Sequence, residues 1–431
     1  MARVFSPTVT PVRICQHWLR LLTPRNLCLM AAGLALVYVA ATLVSYSRIL
    51  GGDATIDDGV IGGDYAAFYA AGGLVLHGQA DHLYDAQSVH AVQQAAIQGR
   101  VPDLYVAYRN PAFFALVMAP FAALDLLPSF AVWTLASVGL IVTAIRLTLR
   151  TTPSVRAHWK LVALAVGGFL PVYSGLVDGQ NAAVSLMLYV LVYLALRDGR
   201  DAHAGAWAAL GLFKPQLFFV LPLVFVASRR WRALRAYAVV TGALATISVA
   251  LVGPEGLLAW ARIIVDYEPA NAAKLAPRMY SLKSFFDLLL PEQKNLALGL
   301  TLICSLAVLA LVMRVWMAHH APRHELRFLW TLTMLAALLV DPHLVDYDLT
   351  VLILPGLLLL GALPEAVWWM CGLFLLTMID APLGVGDVGL QLSVVLLAGL
   401  AIRIWRHIEH GRRLSVTNFT LHGVYGGARA A

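Results

Sequence analysis

The chain has 431 residues, 60% of them hydrophobic and 13% charged, and its mean hydropathy of +0.76 lies outside the range of soluble domains. Its formal charge of +7 resides mainly at the ends of apolar runs, where cations set membrane topology, which argues against nucleic acid as a partner. The four cysteines, Cys15, Cys28, Cys304 and Cys371, are scattered without metal-ligand spacing and read as free thiols.

A bilayer core about 30 Å thick takes roughly 20 apolar residues per helical span, and about a dozen runs of that kind follow one another along the chain. They are continuously rich in Leu, Ala and Val and do not alternate, so the expected fold is an all-α polytopic membrane protein and not a β-barrel. Residues 1–27 carry Arg3, Arg13, Arg20 and Arg25 with no acid. The run from Leu27 to about Tyr46 is too long for a signal-peptide core. We read a cytoplasmic N-terminal segment followed by an uncleaved first span.

Ser47 to Asn110 has no spanning run and sets seven aspartates against Arg48, Arg100 and Arg109; an acidic loop after a basic N-terminus belongs outside the cytoplasm. Within this first external loop (47–110), Tyr65 to Leu76 and Ala86 to Gln98 read as interfacial helices, the second with Asp85 as N-cap. Further apolar runs cover about 111–127, 129–149, 159–176, 180–196, 203–228 and 236–252, the fifth interrupted by Lys214-Pro215. Residues 253–293 are too polar to span and read as a second external loop. Runs at about 294–316, 328–340, 347–362, 365–380 and 388–405 then lead to a basic, cytoplasmic tail, 406–431.

Both ends inside require an even number of spans, and the runs counted singly give twelve. Two layouts satisfy that count. If 111–127 and 129–149 are separate spans, Arg146, Arg150, Arg156 and Lys160 face outward, against the positive-inside rule. If 111–149 is one net crossing and 203–228 is a re-entrant pair around Lys214-Pro215, those cations face inward. The sequence leaves both open. His319, His320 and His324 read as part of a cytoplasmic basic loop.

The polar residues that stand out collect near the expected outer segments. Asp64, in "GGDYAAFYAAGG" (62–73), has a simple reading as a helix N-cap. A membrane-edge carboxylate can also act as a general base toward a hydroxyl within about 3 Å. Lys214 interrupts an apolar stretch, where a charge costs roughly 3 kcal/mol at a helix centre; the plain alternative is a lysine snorkelling from a short helix before Pro215. "GQN" (179–181) breaks two runs and reads as a turn, or as polar groups aimed at a ligand. Asp341, His343, Asp346 and Asp348 form a dense cluster, with His343 a candidate for a polar headgroup. Tyr105, Tyr108, Arg109 and Asn110 lead into the second run. No Gly-rich phosphate loop, zinc motif or serine elbow is present.

"GGDYAAFYAAGGLVLHGQADHLYD" (62–85), "YRNPAFFALVMAPFAAL" (108–124), "GQNAAVSL" (179–186), "GAWAALGLFKPQLFFVLPLVFVASRRWRA" (205–233) and "DPHLVDYDLTVLILP" (341–355) run in an order that resembles glycosyltransferase family 87, polytopic transferases of the GT-C type. The resemblance covers about residues 28–405, the expected transmembrane domain, and implies about twelve transmembrane helices with two external loops. It favours the layout in which 111–127 and 129–149 are separate spans. It implies Asp64 as the catalytic base and Lys214 and His343 at the phosphate of a polyprenyl-phosphate sugar donor. Gln180, Asn181, Arg109, Asp346 and Tyr65 complete the candidate substrate-binding set.

The implied activity is inverting transfer of a hexose, mannose first among the candidates, to a glycolipid or other glycan acceptor of the cell envelope. The implied place is the outer face of a bacterial inner membrane. No Asp-x-Asp occurs in the first external loop, so no metal and no cofactor is expected. "YRNP" and "DPHLVDYD" depart from forms common in the family, near the expected donor site. Two further readings come from the residues themselves: a transporter or lipid flippase, which an intramembrane Lys214 and the acidic cluster can serve, and a non-catalytic assembly subunit of the same fold.

Overall fold

The computed structural model describes residues 24–50, 55–56, 59–60, 62–97, 105–318, 325–378, 383–385 and 388–425. The expected N-terminal segment before residue 24 and His319, His320 and His324 lie outside the described residues.

Helix α1 (Pro24–Leu50) leads to a small hairpin of β1 (Thr55–Ile56) and β2 (Gly59–Val60), and then to α2 (Gly63–Leu76) and α3 (Ala86–Ile97). The last two match the helices read from the first external loop. Asp85 accepts from the Ser88 N–H at 2.9 Å, the N-terminal role expected of it. Helix α2 is no surface helix, however: Tyr65, Ala66, Ala67, Phe68 and residues 70–74 are buried. At Gly72 it lies so close to the backbone of Met118 that a Cβ would not fit.

Met118 belongs to α4 (Ala112–Ala122), an 11-residue helix containing Pro120. Both ends of α4 stay beside α2 and the polar cavity described below. Before it, the Asn110 side chain donates to the Phe213 carbonyl at 2.9 Å; after it, the Leu124 carbonyl accepts from the Tyr69 hydroxyl at 3.0 Å. Residues 111–127 therefore do not cross the bundle. The crossing is α5 (Leu126–Leu149), which starts with Ser129 on the Tyr65 hydroxyl at 2.5 Å and Trp133 on the Gly179 carbonyl at 2.8 Å. Its 24 residues run about 36 Å at 1.5 Å per residue. Arg146 and Arg150 thus lie at the end of α5 away from the cavity, an arrangement compatible with the layout that treats 111–149 as one net crossing.

The remainder follows from that choice. Helices α6 (Trp159–Gly167) and α7 (Leu170–Val177), bent by 56°, return to the cavity end. Helix α8 (Ala182–Arg197) descends; α9 (Asp201–Leu210) rises to Lys214; a four-residue helix and α10 (Val220–Ala227) descend again to Arg230. Arg230 pairs with Asp201 at 2.6 Å, which closes the foot of this hairpin and leaves Lys214 at its apex. Gly205 lets α9 touch the backbone at Ala233, where a Cβ would overlap the carbonyl. Helix α11 (Trp231–Leu275) breaks at Gly253, φ +68°, so that its second part belongs to the second loop. After α12 (Leu282–Leu289) come α13 (Lys294–Ala318), α14 (Leu326–Val340), a 3-10 segment Asp346–Leu352, α15 (Ile353–Leu360), α16 (Ala366–Met378), the hairpin β3 (Leu383–Val385) and β4 (Val388–Leu390), and α17 (Leu392–Tyr425).

Among the described residues three helices are long and apolar enough to cross a membrane, Leu126–Leu149, Trp231–Asp266 and Lys294–Ala318, or four if the bent pair counts as one span. Twelve spans are not confirmed by that count. Length and burial explain the difference. The long helices α5, α11 and α13 are only 28%, 11% and 17% buried over their apolar windows, as expected for helices whose apolar surface faces lipid. The short ones form the inside: α8 and α14 have 16 and 15 residues, about 24 and 22 Å, and most of their side chains are buried. The polar cavity is bordered by residues that flank the ends of these short helices: Asn181 precedes α8 and His343 follows α14.

Candidate active site

Asp64 occupies the first turn of α2, yet it does not cap the helix. The N-cap position belongs to Gly62, φ +68°, and no side chain caps there. The helix start is instead hung on the turn after α7: the Gly62 N–H donates to the Val177 carbonyl at 2.9 Å and the Tyr65 N–H to the Asp178 carbonyl at 3.1 Å. That turn needs a glycine. Gly179 has φ +66°, and a Cβ on it would lie 2.5 Å from Cβ of Tyr65 and 2.9 Å from the Phe130 ring. The close approach brings the next residue, Gln180, onto Asp64, where its amide Nε2 donates to Oδ2 at 2.5 Å. The N-cap reading of Asp64 is therefore corrected: its carboxylate is turned away from its own helix and toward a cavity.

That cavity has a volume of about 250 Å³ and is bordered by Asp64, Gln180, Asn181, Arg109, Lys214 and His343, together with Tyr347, Trp260 and apolar side chains. Six of the eight residues singled out from the sequence thus meet around one space. Lys214 is 7% exposed; its ammonium is ion-paired with Oδ1 of Asp348 and lies 5.0 Å from the ring centroid of Tyr347. A charge buried at the apex of an apolar hairpin needs such a partner. Arg109 donates from its guanidinium to Nε2 of His343 at 3.1 Å, which requires an imidazole carrying its proton on Nδ1. The backbone N–H of His343 donates to Oδ1 of Asp341 at 2.8 Å, so the aspartate at the end of α14 fixes the turn that carries the histidine. Asn181 precedes α8 and is 1% exposed.

The other two expected residues lie elsewhere. Tyr65 is fully buried between Phe130 and Trp133, with its hydroxyl on Ser129, and does not border the cavity. Asp346 sits in an adjoining cluster, accepting from the Ser174 hydroxyl at 2.8 Å and pairing with Arg278 at 3.3 Å. Arg278 also reaches Asp178 at 3.7 Å. Burial first, then the nearby carboxylates of Asp64 and Asp346, push the Asp178 carboxyl up to about 7, while Arg278 pulls it down. Arg278 is carried by the second loop, whose Met279 bridges Val345 and whose Tyr280 N–H donates to the Leu344 carbonyl at 2.9 Å. Gln391, at the start of α17, holds the Met279 carbonyl from the other side.

Reading the sequence missed Trp260, Tyr347, Asp178 and Arg278. Tyr347 stood inside the acidic cluster and was legible there as an aromatic among carboxylates. Asp178 and Arg278 are 100 positions apart, and neither has a neighbouring partner that would mark it. Trp260 lies on the second part of α11 and donates from its indole N–H to the Arg109 carbonyl at 2.8 Å; nothing in its local sequence signals that contact.

Fold and site define the class first: a polytopic α-helical membrane protein with a polar cavity at the ends of its short inner helices. The family model for glycosyltransferase family 87 matches residues 108–342, more than half of the chain, and the chain belongs to that family. It is accordingly a glycosyltransferase by descent. No curated protein and no solved structure matches it. The matched residues contain Arg109, Gln180, Asn181, Lys214 and Trp260 but neither Asp64 nor His343.

Proposed function

We propose that this glycosyltransferase moves a hexose, mannose first among the candidates, from a polyprenyl-phosphate donor to a hydroxyl of a glycolipid or glycan acceptor, with inversion at the anomeric carbon and Asp64 as general base. The observation that carries the reading is the composition of one cavity: a single lining carboxylate, Asp64, fixed by Gln180, together with Lys214, Arg109 and His343. In such a transfer the acceptor oxygen attacks the anomeric carbon while its proton passes to Asp64. The bond from that carbon to the phosphate oxygen breaks, and its electron pair leaves with the polyprenyl phosphate. The leaving group needs cations and N–H donors, not an acid. Lys214 and Arg109 supply them, and His343 orients Arg109.

Two further features favour a lipid donor. A cavity lined by residues at the ends of membrane helices suits a phosphate presented at the membrane surface by a lipid. Arg146, Arg150 and Arg156 lie at the opposite end, and the positive-inside rule assigns that end to the cytoplasm and the cavity to the outer face; in a bacterial inner membrane that face looks on the cell envelope. No metal or cofactor is part of this scheme. The test is transfer by the purified protein in lipid from defined polyprenyl-phosphate hexoses, with the anomeric configuration of the product read by NMR. Inversion is expected, and retention of the donor's configuration would rule out the one-carboxylate mechanism.

A further inference from the structure

The second loop contributes a wall to the cavity as well as a cover. After the break at Gly253, the helix lays Trp260 and Ile264 on the cavity, four residues apart and hence on one face. The Trp260 ring is not free to swing, because its N–H is held by the Arg109 carbonyl at 2.8 Å. The residue is only partly buried. An indole with its N–H engaged by protein offers a ligand only its π-face. The polar walls have other duties: Gln180 holds Asp64, the Asn110 amide holds the Phe213 carbonyl, and Lys214 is paired with Asp348.

In the transfer proposed above, the anomeric carbon lies between the base and the phosphate, so the transferred hexose must occupy the space between Asp64 and the Lys214 and Arg109 cations. A volume of about 250 Å³ is near the small end of ligand sites, which start at about 300 Å³, and suits one sugar ring. We propose that Trp260 is the stacking platform for this hexose and thereby a determinant of which hexose is accepted. The C–H face of a pyranose is electropositive at its hydrogens and meets the negative face of an aromatic ring, as the edges of aromatic rings do. The proposal rests on the polyprenyl-phosphate reading of the site.

The test reads binding, so that it does not depend on turnover. The affinity of the full-length protein in lipid nanodiscs is measured for a short-chain isoprenyl-phosphate mannose and for the same isoprenyl phosphate without sugar, in wild type, Trp260→Phe and Trp260→Leu. The ratio of the two affinities isolates the contribution of the sugar. We expect Trp260→Leu to reduce that ratio by roughly three- to tenfold while the sugar-free phosphate binds as in wild type. Trp260→Phe, which keeps a ring but loses the bond to Arg109, should retain most of the ratio. An unchanged ratio in Trp260→Leu overturns the role of Trp260 alone. Equal losses for both ligands identify a merely structural residue and overturn it too. Failure of wild type to bind either ligand overturns the donor reading and, with it, this one.

Discussion

Gln180 donates to one carboxylate oxygen of Asp64 at 2.5 Å, across 116 positions of sequence and from a turn that only a glycine at position 179 permits. Holding Oδ2 leaves Oδ1 as the atom that can receive a proton from an acceptor hydroxyl. Hydrogen bonds to a charged group contribute about 1.5–3 kcal/mol, which corresponds to roughly ten- to a hundredfold in rate if the bond acts on the transition state. Gln180→Ala should lower kcat by that amount and leave donor affinity within about threefold. A rise in KM with unchanged kcat would instead make Gln180 a substrate contact.

Gly179→Ala tests the turn itself. The substitution places a Cβ in a left-handed conformation and against Tyr65 and Phe130, and strain of this kind costs about 1–3 kcal/mol. Thermal unfolding in detergent should fall by several degrees, and transfer should fall further than stability accounts for, because Gln180 moves with the turn. Wild-type unfolding temperature would contradict the close approach.

The Lys214 and Asp348 pair separates structure from chemistry. Removing one partner of a buried ion pair costs about 3–5 kcal/mol, whereas replacing both by apolar groups of similar size is often neutral. Lys214→Met should therefore unfold more readily than wild type. The double substitution Lys214→Met with Asp348→Leu should recover much of that stability without recovering transfer, since the cation at the cavity is gone. Recovery of transfer in the double variant would assign Lys214 to packing alone.

Asp178 supplies a pH dependence. Its carboxyl is raised from the ordinary 3.8 to about 7, by burial first and then by Asp64 and Asp346. A folded state that binds the proton more tightly than the unfolded chain gains stability below the unfolded value and loses it as pH rises toward 7. Asp178→Asn mimics the protonated form at every pH. Its unfolding temperature relative to wild type should increase between about pH 4 and pH 8, and a difference independent of pH would contradict the raised value.

The sequence disclosed more of the site than of the path between its parts. Asp64, Gln180, Lys214 and His343 were visible because each interrupts apolar sequence, where a polar side chain needs a reason. The layout of 111–149 was not visible in hydropathy, since an 11-residue apolar helix beside the cavity and half of a span have the same composition. Counting apolar runs also gave more spans than the long apolar helices among the described residues. Inner helices such as α8 and α14 are buried in protein and need not match the thickness of the membrane. The contacts of Trp260 and Arg278 depend on where the second loop docks, which long-range packing sets and local sequence does not record.

The central claim is that Asp64 is the base of a glycosyl transfer, and Asp64→Asn tests it most directly. Asparagine is nearly isosteric and can keep a bond with Gln180, but it cannot accept the proton. Wild type and variant, purified in lipid, would be given polyprenyl-phosphate mannose as donor and a membrane extract as acceptor, with unfolding temperature and donor binding measured alongside. We expect transfer by wild type and a loss of at least about a hundredfold in the variant, with folding and donor binding retained. Equal transfer by both proteins would show that the carboxylate takes no part in the chemistry.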